Sequence, residues 1–171
     1  MKKILMLTLI AGLFTSLNAS AQEDKSKRVS PPAKVSETIS SGAVISIDYS
    51  QPSVKGRTIG KEIAPYGEVW RTGANEATVF ETSKDVKIEG KTLPAGKYSL
   101  YSIPGTDKWT FIFNNTWDQW GTIYKQEEDR LRVEVKPTKA PSMTEKMTFK
   151  ISKSGKVSLL WGTMEADFQV N

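Results

Sequence analysis

Short runs in which apolar and polar residues alternate follow one another along most of the chain. In residues 43–49, Ile45 and Ile47 alternate with Ser46 and Asp48, the period of two that is typical of a β-strand with one buried face. Residues that favour turns separate these runs. The predicted strands are residues 34–39, 43–49, 77–82, 86–88, 97–103, 109–113, 131–135, 147–151, 157–161 and 166–170.

This pattern predicts an all-β fold, an antiparallel β-sandwich or jelly roll of about ten short strands. No convincing amphipathic helix interrupts the strands, and the helical candidates are two single turns at residues 60–63 and 124–129. No repeat and no internal linker divides the sequence beyond residue 34. Residues 34–171 are therefore predicted to form one domain with one core.

The first 21 residues are typical of a secretory signal peptide. Lys2 and Lys3 precede an apolar run of about a dozen residues, and Ala-Ser-Ala at residues 19–21 fits the small-x-small cleavage rule. The apolar run is too short to span a bilayer, which disfavours an uncleaved membrane anchor. We predict cleavage before Gln22, export to the periplasm or beyond, and no transmembrane anchor after cleavage.

Residues 22–33 are polar and charged and end with two prolines before Ala33. We predict that they form a flexible linker between the cleavage site and the domain. Loss of the two signal lysines lowers the formal net charge from +5 to +3. The basic residues are spread along the chain, which favours a solvated surface over nucleic-acid binding.

The chain has no cysteine and no histidine. Disulfides, thiol nucleophiles and thiolate metal sites are therefore excluded, together with the Ser-His-Asp triad and the commonest zinc ligand. A calcium-loop signature is also missing, so we predict neither a metal nor another cofactor. Paired carboxylates still allow hydrolysis. A glycosidase-like hydrolase that uses two of Glu68, Glu76, Glu81 and Asp118 is one alternative.

The segment at residues 49–76 breaks the alternation. It gathers basic, aromatic and amide side chains among glycines and prolines. A long irregular loop in a compact domain is usually functional or disordered, and disordered loops seldom contain so many aromatic and β-branched residues. We therefore predict a ligand site in this segment, formed by Lys55, Arg57, Tyr66, Arg71, Asn75 and Glu76.

A second irregular segment, NNTWDQWG, occupies residues 114–121. Tryptophan rings beside amide and carboxylate groups suit the faces and hydroxyls of sugars. We predict that the two irregular segments share one surface, to which Trp117 and Asp118 contribute. The favoured ligand is a glycan, or another polyhydroxylated or anionic small molecule of the cell envelope.

The same residues also allow a purely structural interpretation. Basic side chains of the first segment can pair with Glu62, Glu68 and Glu76 and so fix the loop, and this pairing is the favoured interpretation for Arg71. Asn75 suits a turn cap as well as it suits a sugar hydroxyl. No residue is predicted to be catalytic. A second alternative function is a structural domain that binds an envelope protein through an edge strand.

Several blocks of the sequence support a family resemblance. They are YSxPxxKGRxI at residues 49–59, PYGxVWRTGANEAT at 65–78 and AGKYSLYSIP at 95–104. Single positions extend the match, namely Trp109, Asn114, Trp120-Gly121, Tyr124, Arg130, Val133 and Trp161. The chain resembles a secreted Bacteroidota family known as domain of unknown function 2911. This resemblance implies an exported or envelope-associated β-rich domain and assigns it no activity and no catalytic residue.

Overall fold

A computed structural model describes residues 24–171 of the chain, so the predicted signal peptide at residues 1–21 lies outside the described residues. The described elements are ten antiparallel strands and two single 3₁₀ turns, Lys25–Lys27 and Gln126–Glu128, which confirms the all-β prediction. The strands are β1 (Pro32–Thr38), β2 (Val44–Ser50), β3 (Val79–Thr82), β4 (Val86–Ile88), β5 (Lys91–Leu93), β6 (Gly96–Ile103), β7 (Trp109–Asn114), β8 (Asp129–Val135), β9 (Thr138–Ile151) and β10 (Lys156–Gln169).

Six strands form one sheet in the order β1-β2-β3-β6-β7-β8. The long β9–β10 hairpin and the short β4–β5 hairpin are separate two-stranded units. The alternation seen in the sequence decides which face is buried: Ile47 pairs with Phe80 across β2 and β3, and both are fully buried. Phe168 of β10 packs edge-on against Phe111 and Phe113 of β7, with ring centroids 4.9 and 5.7 Å apart. The long hairpin therefore closes a sandwich-like core over the six-stranded sheet.

The strand boundaries differ from the sequence pattern where apolar residues are sparse. β5 occupies residues expected to turn, and the two runs at 157–161 and 166–170 join into the single strand β10. Backbone pairing with a neighbouring strand continues through polar or glycine positions, because the ladder needs only N–H and C=O groups. The expected helical turn at 60–63 is a hydrogen-bonded loop, closed by Gly60 N donating to Ile63 O at 2.8 Å.

β7 is buried on both faces. Phe111 points into the main core as expected, but Ile112 on the opposite face is also fully buried. Its cross-strand partner is Tyr101 of β6, whose hydroxyl donates to the carbonyl of Ile123 and whose ring packs edge-on against Tyr124 at 5.0 Å. The chain after β7 thus folds back over the outer face of the sheet. No helix within residues 24–171 is long and apolar enough to cross a membrane.

Candidate functional site

A cavity of about 650 Å³ lies between the irregular segment at residues 49–76 and the chain that follows β7. Residues far apart in the sequence form its walls, since the segment before β1, the first irregular segment, β6, β10 and the second irregular region all contribute. The main side chains of the walls are Val29, Arg57, Ile63, Ala64, Val69, Trp70, Arg71, Tyr101, Tyr124 and Trp161. We call this space the main cavity.

The two irregular segments meet beside the main cavity. Ala77 N donates to Gln119 O at 3.0 Å, and Gly121 N donates to Asn75 O at 3.0 Å. The sequence-based expectation that the two segments share one surface therefore holds at residues 75–77 and 119–121. Gly121 makes the contact close, because a Cβ at this position would lie 2.8 Å from both Asn75 O and the Arg71 Cδ.

Tryptophan rings form one wall of the main cavity. Trp70 is fixed to the end of β6 by a reciprocal pair of backbone hydrogen bonds with Ser102, of 2.7 and 2.9 Å. Its ring stacks on Trp161 of β10 with centroids 5.1 Å apart and an interplanar angle of 8°, and its edge meets Trp109. The Nε1 of Trp161 is buried and has no hydrogen-bond partner within the described chain, an uncommon situation for a buried donor.

Two arginines supply the positive charge of the main cavity. Arg57 is held at the rim, because its Nε donates to Val54 O at 3.1 Å and its Nη2 donates to Ser53 O at 2.7 Å. Arg71 is half-buried, and within residues 24–171 its guanidinium makes no hydrogen bond or ion pair. Its planar set of donors is therefore available for a carboxylate or a phosphate.

Two of the three acidic residues expected to neutralise Arg71 bind elsewhere, and the third, Glu68, makes no ion pair within residues 24–171. Glu62 accepts a hydrogen bond from Thr58 N at 2.8 Å, and Glu76 pairs with Arg28 and Lys25. The favoured structural interpretation of Arg71, internal pairing with these glutamates, is therefore wrong for the described chain. No carboxylate side chain lines the main cavity, so its two positive charges are uncompensated there.

Asn75 and Glu76 hold the chain before β1, which contributes Val29 and Ser30 to the wall of the main cavity, but neither Asn75 nor Glu76 lines the cavity itself. Arg28 Nη1 donates to both carboxylate oxygens of Glu76, at 2.9 and 2.7 Å, and Lys25 Nζ lies 2.9 Å from Oε1. Asn75 Nδ2 donates to Ser30 O at 3.0 Å. Residues 24–31, which we call the N-terminal segment, lie within the predicted linker and are held by these contacts.

The Glu76 carboxylate is ionised over a wide range of pH. Partial burial opposes its ionisation, but hydrogen bonds from Lys25 and Arg28 outweigh that effect and lower the pKa of Glu76 to about 2. Asn75 has a left-handed backbone with φ of 61°, a conformation that asparagine tolerates better than most residues. The side chains of Asn75 and Glu76 are thus used to hold the chain together.

The other predicted site residues lie outside the main cavity. Lys55 is exposed and its backbone N donates to Glu145 Oε1 at 2.8 Å. Tyr66 is 46% exposed and lines a neighbouring groove. Trp117 is 38% exposed and has Lys97 Nζ above its ring at 4.8 Å, and the adjacent Asp118 is exposed.

The two tyrosines of the main cavity offer a ligand their rings and not their hydroxyls, because the hydroxyls are occupied by hydrogen bonds within the chain. Tyr101 donates to Ile123 O and accepts from Gln119 Nε2 at 3.1 Å. Tyr124 donates to Asp129 Oδ2 and accepts from Arg132 Nη2, each at 2.7 Å. Burial and the neighbouring Asp129 raise the pKa of Tyr124 to about 12, so its hydroxyl stays protonated.

Backbone strain is concentrated around the main cavity. Ala64 lines the cavity with φ of 48°, and Thr72, between Arg71 and Gly73, has φ of 49°. This left-handed conformation is unfavourable for a β-branched residue. Thr72 is fully buried and is held there by a 3.0 Å hydrogen bond to Ser102 Oγ. Strained residues of this kind cluster where a protein holds a ligand.

Sequence reasoning found two of the cavity side chains, Arg57 and Arg71. It missed Tyr101, Tyr124 and Trp161 as site residues. Strand alternation assigns Tyr101 and Trp161 to the core, Tyr124 lies in a predicted helical turn, and only the three-dimensional fold brings the three together. Gly121 had a local signal, a glycine directly after a tryptophan in an irregular segment. Within residues 24–171 no cluster of Asp and Glu has the size and spacing needed to hold a metal ion.

Comparison with known proteins gives one match. A family model described as a protein of unknown function, DUF2911, matches residues 30–170. Neither a curated protein nor a solved structure matches the chain. The matched range includes every predicted site residue and almost all of the main cavity.

Proposed function

The chain belongs to the DUF2911 family of proteins of unknown function, and we propose that it is an exported, non-catalytic β-sandwich module that binds a small organic anion in the main cavity. The observation that supports this proposal best is the pair of arginines, Arg57 and Arg71, in a cavity with no carboxylate in its walls. A cation without an internal partner, next to apolar rings, favours an anionic group joined to an apolar body.

The geometry favours an organic anion over a neutral glycan. Sugars bind through many hydroxyl contacts, which need free donors and acceptors in the wall. Here the hydroxyls of Tyr101 and Tyr124 already have partners. The neutral side chains left to meet a sugar are therefore the short hydroxyls of Ser30 and Thr122, beside two cations. Acidic sugars stay within the proposed class, because their carboxylates suit Arg71.

Export is the second part of the proposal and is supported by the composition of residues 1–21. A basic start, a short apolar run and a small-x-small site are the features that a signal peptidase requires. An exported protein would meet envelope molecules as ligands. Many of these are amphiphilic or acidic, which agrees with the chemistry of the main cavity.

The direct test is binding of a matched pair of probes, benzoate and benzamide, to the purified protein. Trp70 and Trp161 line the cavity, so intrinsic fluorescence and calorimetry both report on it. We expect benzoate to bind and benzamide, its uncharged analogue, to bind at least tenfold more weakly. Glucose and galacturonate extend the comparison to a neutral and an acidic sugar.

We expect Arg71→Ala to weaken benzoate binding about 10- to 100-fold, since a hydrogen bond to a charged group contributes about 1.5–3 kcal/mol. Arg130→Ala is the matched control, because Arg130 is exposed and lies outside the main cavity. Equal affinity for benzoate and benzamide, or no loss in Arg71→Ala, would contradict the proposal.

The carboxylate-dependent hydrolase finds less support. Glycoside hydrolysis needs two carboxyl groups about 5 to 9.5 Å apart across the substrate. No acid lines the main cavity, and Glu76 is bound by Arg28 and Lys25.

The alternative of a partner-binding domain makes a different prediction, stable co-purification with one envelope protein together with no affinity for any of the small probes.

A further inference from the structure

A second depression adjoins the main cavity at Arg57, the side chain that lines both. Its volume is about 350 Å³. Apolar side chains form most of its walls, and we call it the side groove. They are Val54, Ile59, Tyr66, Met143 and Met164. No carboxylate lines the side groove. An anion bound by Arg57 would therefore not be repelled by a negative side chain of the groove wall.

The side groove lies against the β9–β10 hairpin where that hairpin is irregular, at Gly162. The register between the two strands shifts on both sides of this residue, between Leu160 and Gly162 and again before Met164. Gly162 has φ of 58°, and a Cβ there would lie 3.0 Å from Ile59 Cδ1. The missing side chain lets Ile59 pack directly against the bulged backbone of the hairpin, and Ile59 and Gly162 both line the groove.

The side groove continues past Tyr66 into a further depression of about 290 Å³. The two share Tyr66, Thr163 and Met164, and Lys139 contributes to the wall of the second. Again no carboxylate is among the lining residues. The main cavity, the side groove and this extension therefore follow one another, with Arg71 in the main cavity and Arg57 where the main cavity meets the side groove.

The walls of the side groove suit a flexible apolar chain. Tyr66 is 46% exposed and Met143 is 55% exposed, so both leave apolar surface in water that a ligand would cover. Methionine side chains are unbranched and adapt to irregular partners. A chain of methylene groups bends at each bond and can therefore continue from the main cavity past Arg57, the residue that lines both depressions.

We propose that the ligand is a single-chain anionic amphiphile whose carboxylate or phosphate binds at Arg57 and Arg71 and whose alkyl chain lies in the side groove. This inference rests on the proposed function, because it uses the anion site of the main cavity. The inference adds two statements to the proposed function. The side groove binds the alkyl chain of the ligand, and the protein distinguishes its ligands by the length of that chain.

The test is a series of saturated carboxylates, hexanoate, octanoate, decanoate and dodecanoate, titrated below their micelle concentrations. Burial of one methylene contributes about 0.8 kcal/mol, or about a fourfold change in affinity. In a half-open groove we expect affinity to rise about two- to fourfold for each added methylene. The affinity of decyl phosphate, compared with that of decanoate, shows whether a phosphate or a carboxylate group binds more tightly. The affinity of decanol measures the contribution of the alkyl chain without a charge.

Variants of the groove make the test specific. Met143→Asp places a carboxylate beside the chain, so we expect it to flatten the rise of affinity with chain length, and Met143→Ala to reduce that rise without adding charge. Val44→Asp is the matched control: Val44 is 42% exposed on β2 and outside the groove. It should leave the whole series unchanged.

The outcomes separate the two proposals. If hexanoate and benzoate bind through Arg71 but affinity does not rise with chain length, the side groove is not a binding site and the anion site stands. If chain length matters equally in Met143→Asp and in the wild type, the chain binds elsewhere and the inference is wrong. If decanol binds as tightly as decanoate, or no anion binds, the proposed function itself fails.

Discussion

At the scale of a single residue, Glu76 holds the N-terminal segment, which contributes Val29 and Ser30 to the wall of the main cavity. Partial burial would raise its pKa, but hydrogen bonds from Lys25 and Arg28 lower the pKa to about 2. A carboxylate whose pKa is lower in the folded chain stabilises the fold above its unfolded pKa, near 4.5, and this contribution is lost as the pH falls towards 2. Acid should therefore detach the N-terminal segment.

We expect Glu76→Gln to lower the free energy of unfolding by about 0.5–1 kcal/mol at pH 6, since Glu76 is more than one third exposed and exposed ion pairs contribute little. At pH 2 the variant and the wild type should differ much less. Urea unfolding at the two pH values measures this. Glu127→Gln, at an exposed position, is the control; an equal pH dependence in both variants would show that Glu76 is not responsible.

Residue type predicted part of the site and could not predict the rest. Arg57 and Arg71 stood out because arginines in an irregular, glycine-rich segment need an explanation. Asn75 and Glu76 stood out for the same reason, but their partners are Ser30 and Arg28, in a segment that the sequence marks as a linker. Pairing at that distance along the chain has no local signal.

At the level of elements, the two irregular segments form one unit through Gly121. Its N–H binds Asn75 O, and a Cβ would lie 2.8 Å from that oxygen and 3.1 Å from Glu76 O. These are backbone atoms, so they cannot rotate away as a side chain would. The same position also touches Arg71 Cδ, which ties the geometry of the loop junction to the cation of the main cavity.

We expect Gly121→Ala to destabilise the fold by about 1–3 kcal/mol, the usual cost of overpacking, and to weaken benzoate binding. The double variant Gly121→Ala, Arg71→Ala identifies the cause. If the contact with the backbone dominates, the loss of stability caused by Gly121→Ala persists without the arginine side chain. Full recovery of stability in the double variant would instead assign the cost to Arg71. Thermal unfolding measures both.

The strands were predictable where apolar residues alternate. The run at 86–88 is β4, and the run at 109–113 differs from β7 by one residue. The prediction failed at β5, at residues 138–146 of β9 and at the middle of β10, where polar residues or glycine interrupt the pattern. There the strand persists because a paired neighbour supplies the hydrogen bonds. The side groove lies at one of these places, next to Gly162, so alternation could not reveal it.

For the molecule as a whole, the order of the strands in the sheet determines where the main cavity forms. β3 pairs with β6, so the β4–β5 hairpin is left outside the sheet. The first irregular segment runs from the end of β2 to the start of β3 and crosses one end of the sandwich near β6 and β10. The all-β fold class was predictable from the composition and from the two-residue period in which apolar and polar residues alternate. The position of the site depends on this pairing, which the sequence does not specify locally.

Export is a property of the whole chain, and we expect the secreted or periplasmic form to begin at Gln22. Mass spectrometry of the protein recovered from outside the cytoplasm measures its N-terminus. Ala21→Tyr should block cleavage, because the peptidase requires a small residue there, whereas Ala21→Gly should be processed normally. Recovery of full-length wild-type chain in that fraction would contradict the prediction.

The contacts of the N-terminal segment decide how the protein should be attached to a surface or to another domain. Lys25 and Arg28 hold that end of the chain against Glu76, beside the main cavity. The other end, Asn171, pairs with Lys87 of β4 through two backbone hydrogen bonds and does not line the cavity. An affinity tag or sensor fused before residue 24 would therefore be joined to the segment that supplies Val29 and Ser30 to the cavity wall, whereas one fused after Asn171 would be joined to a residue that does not line the cavity.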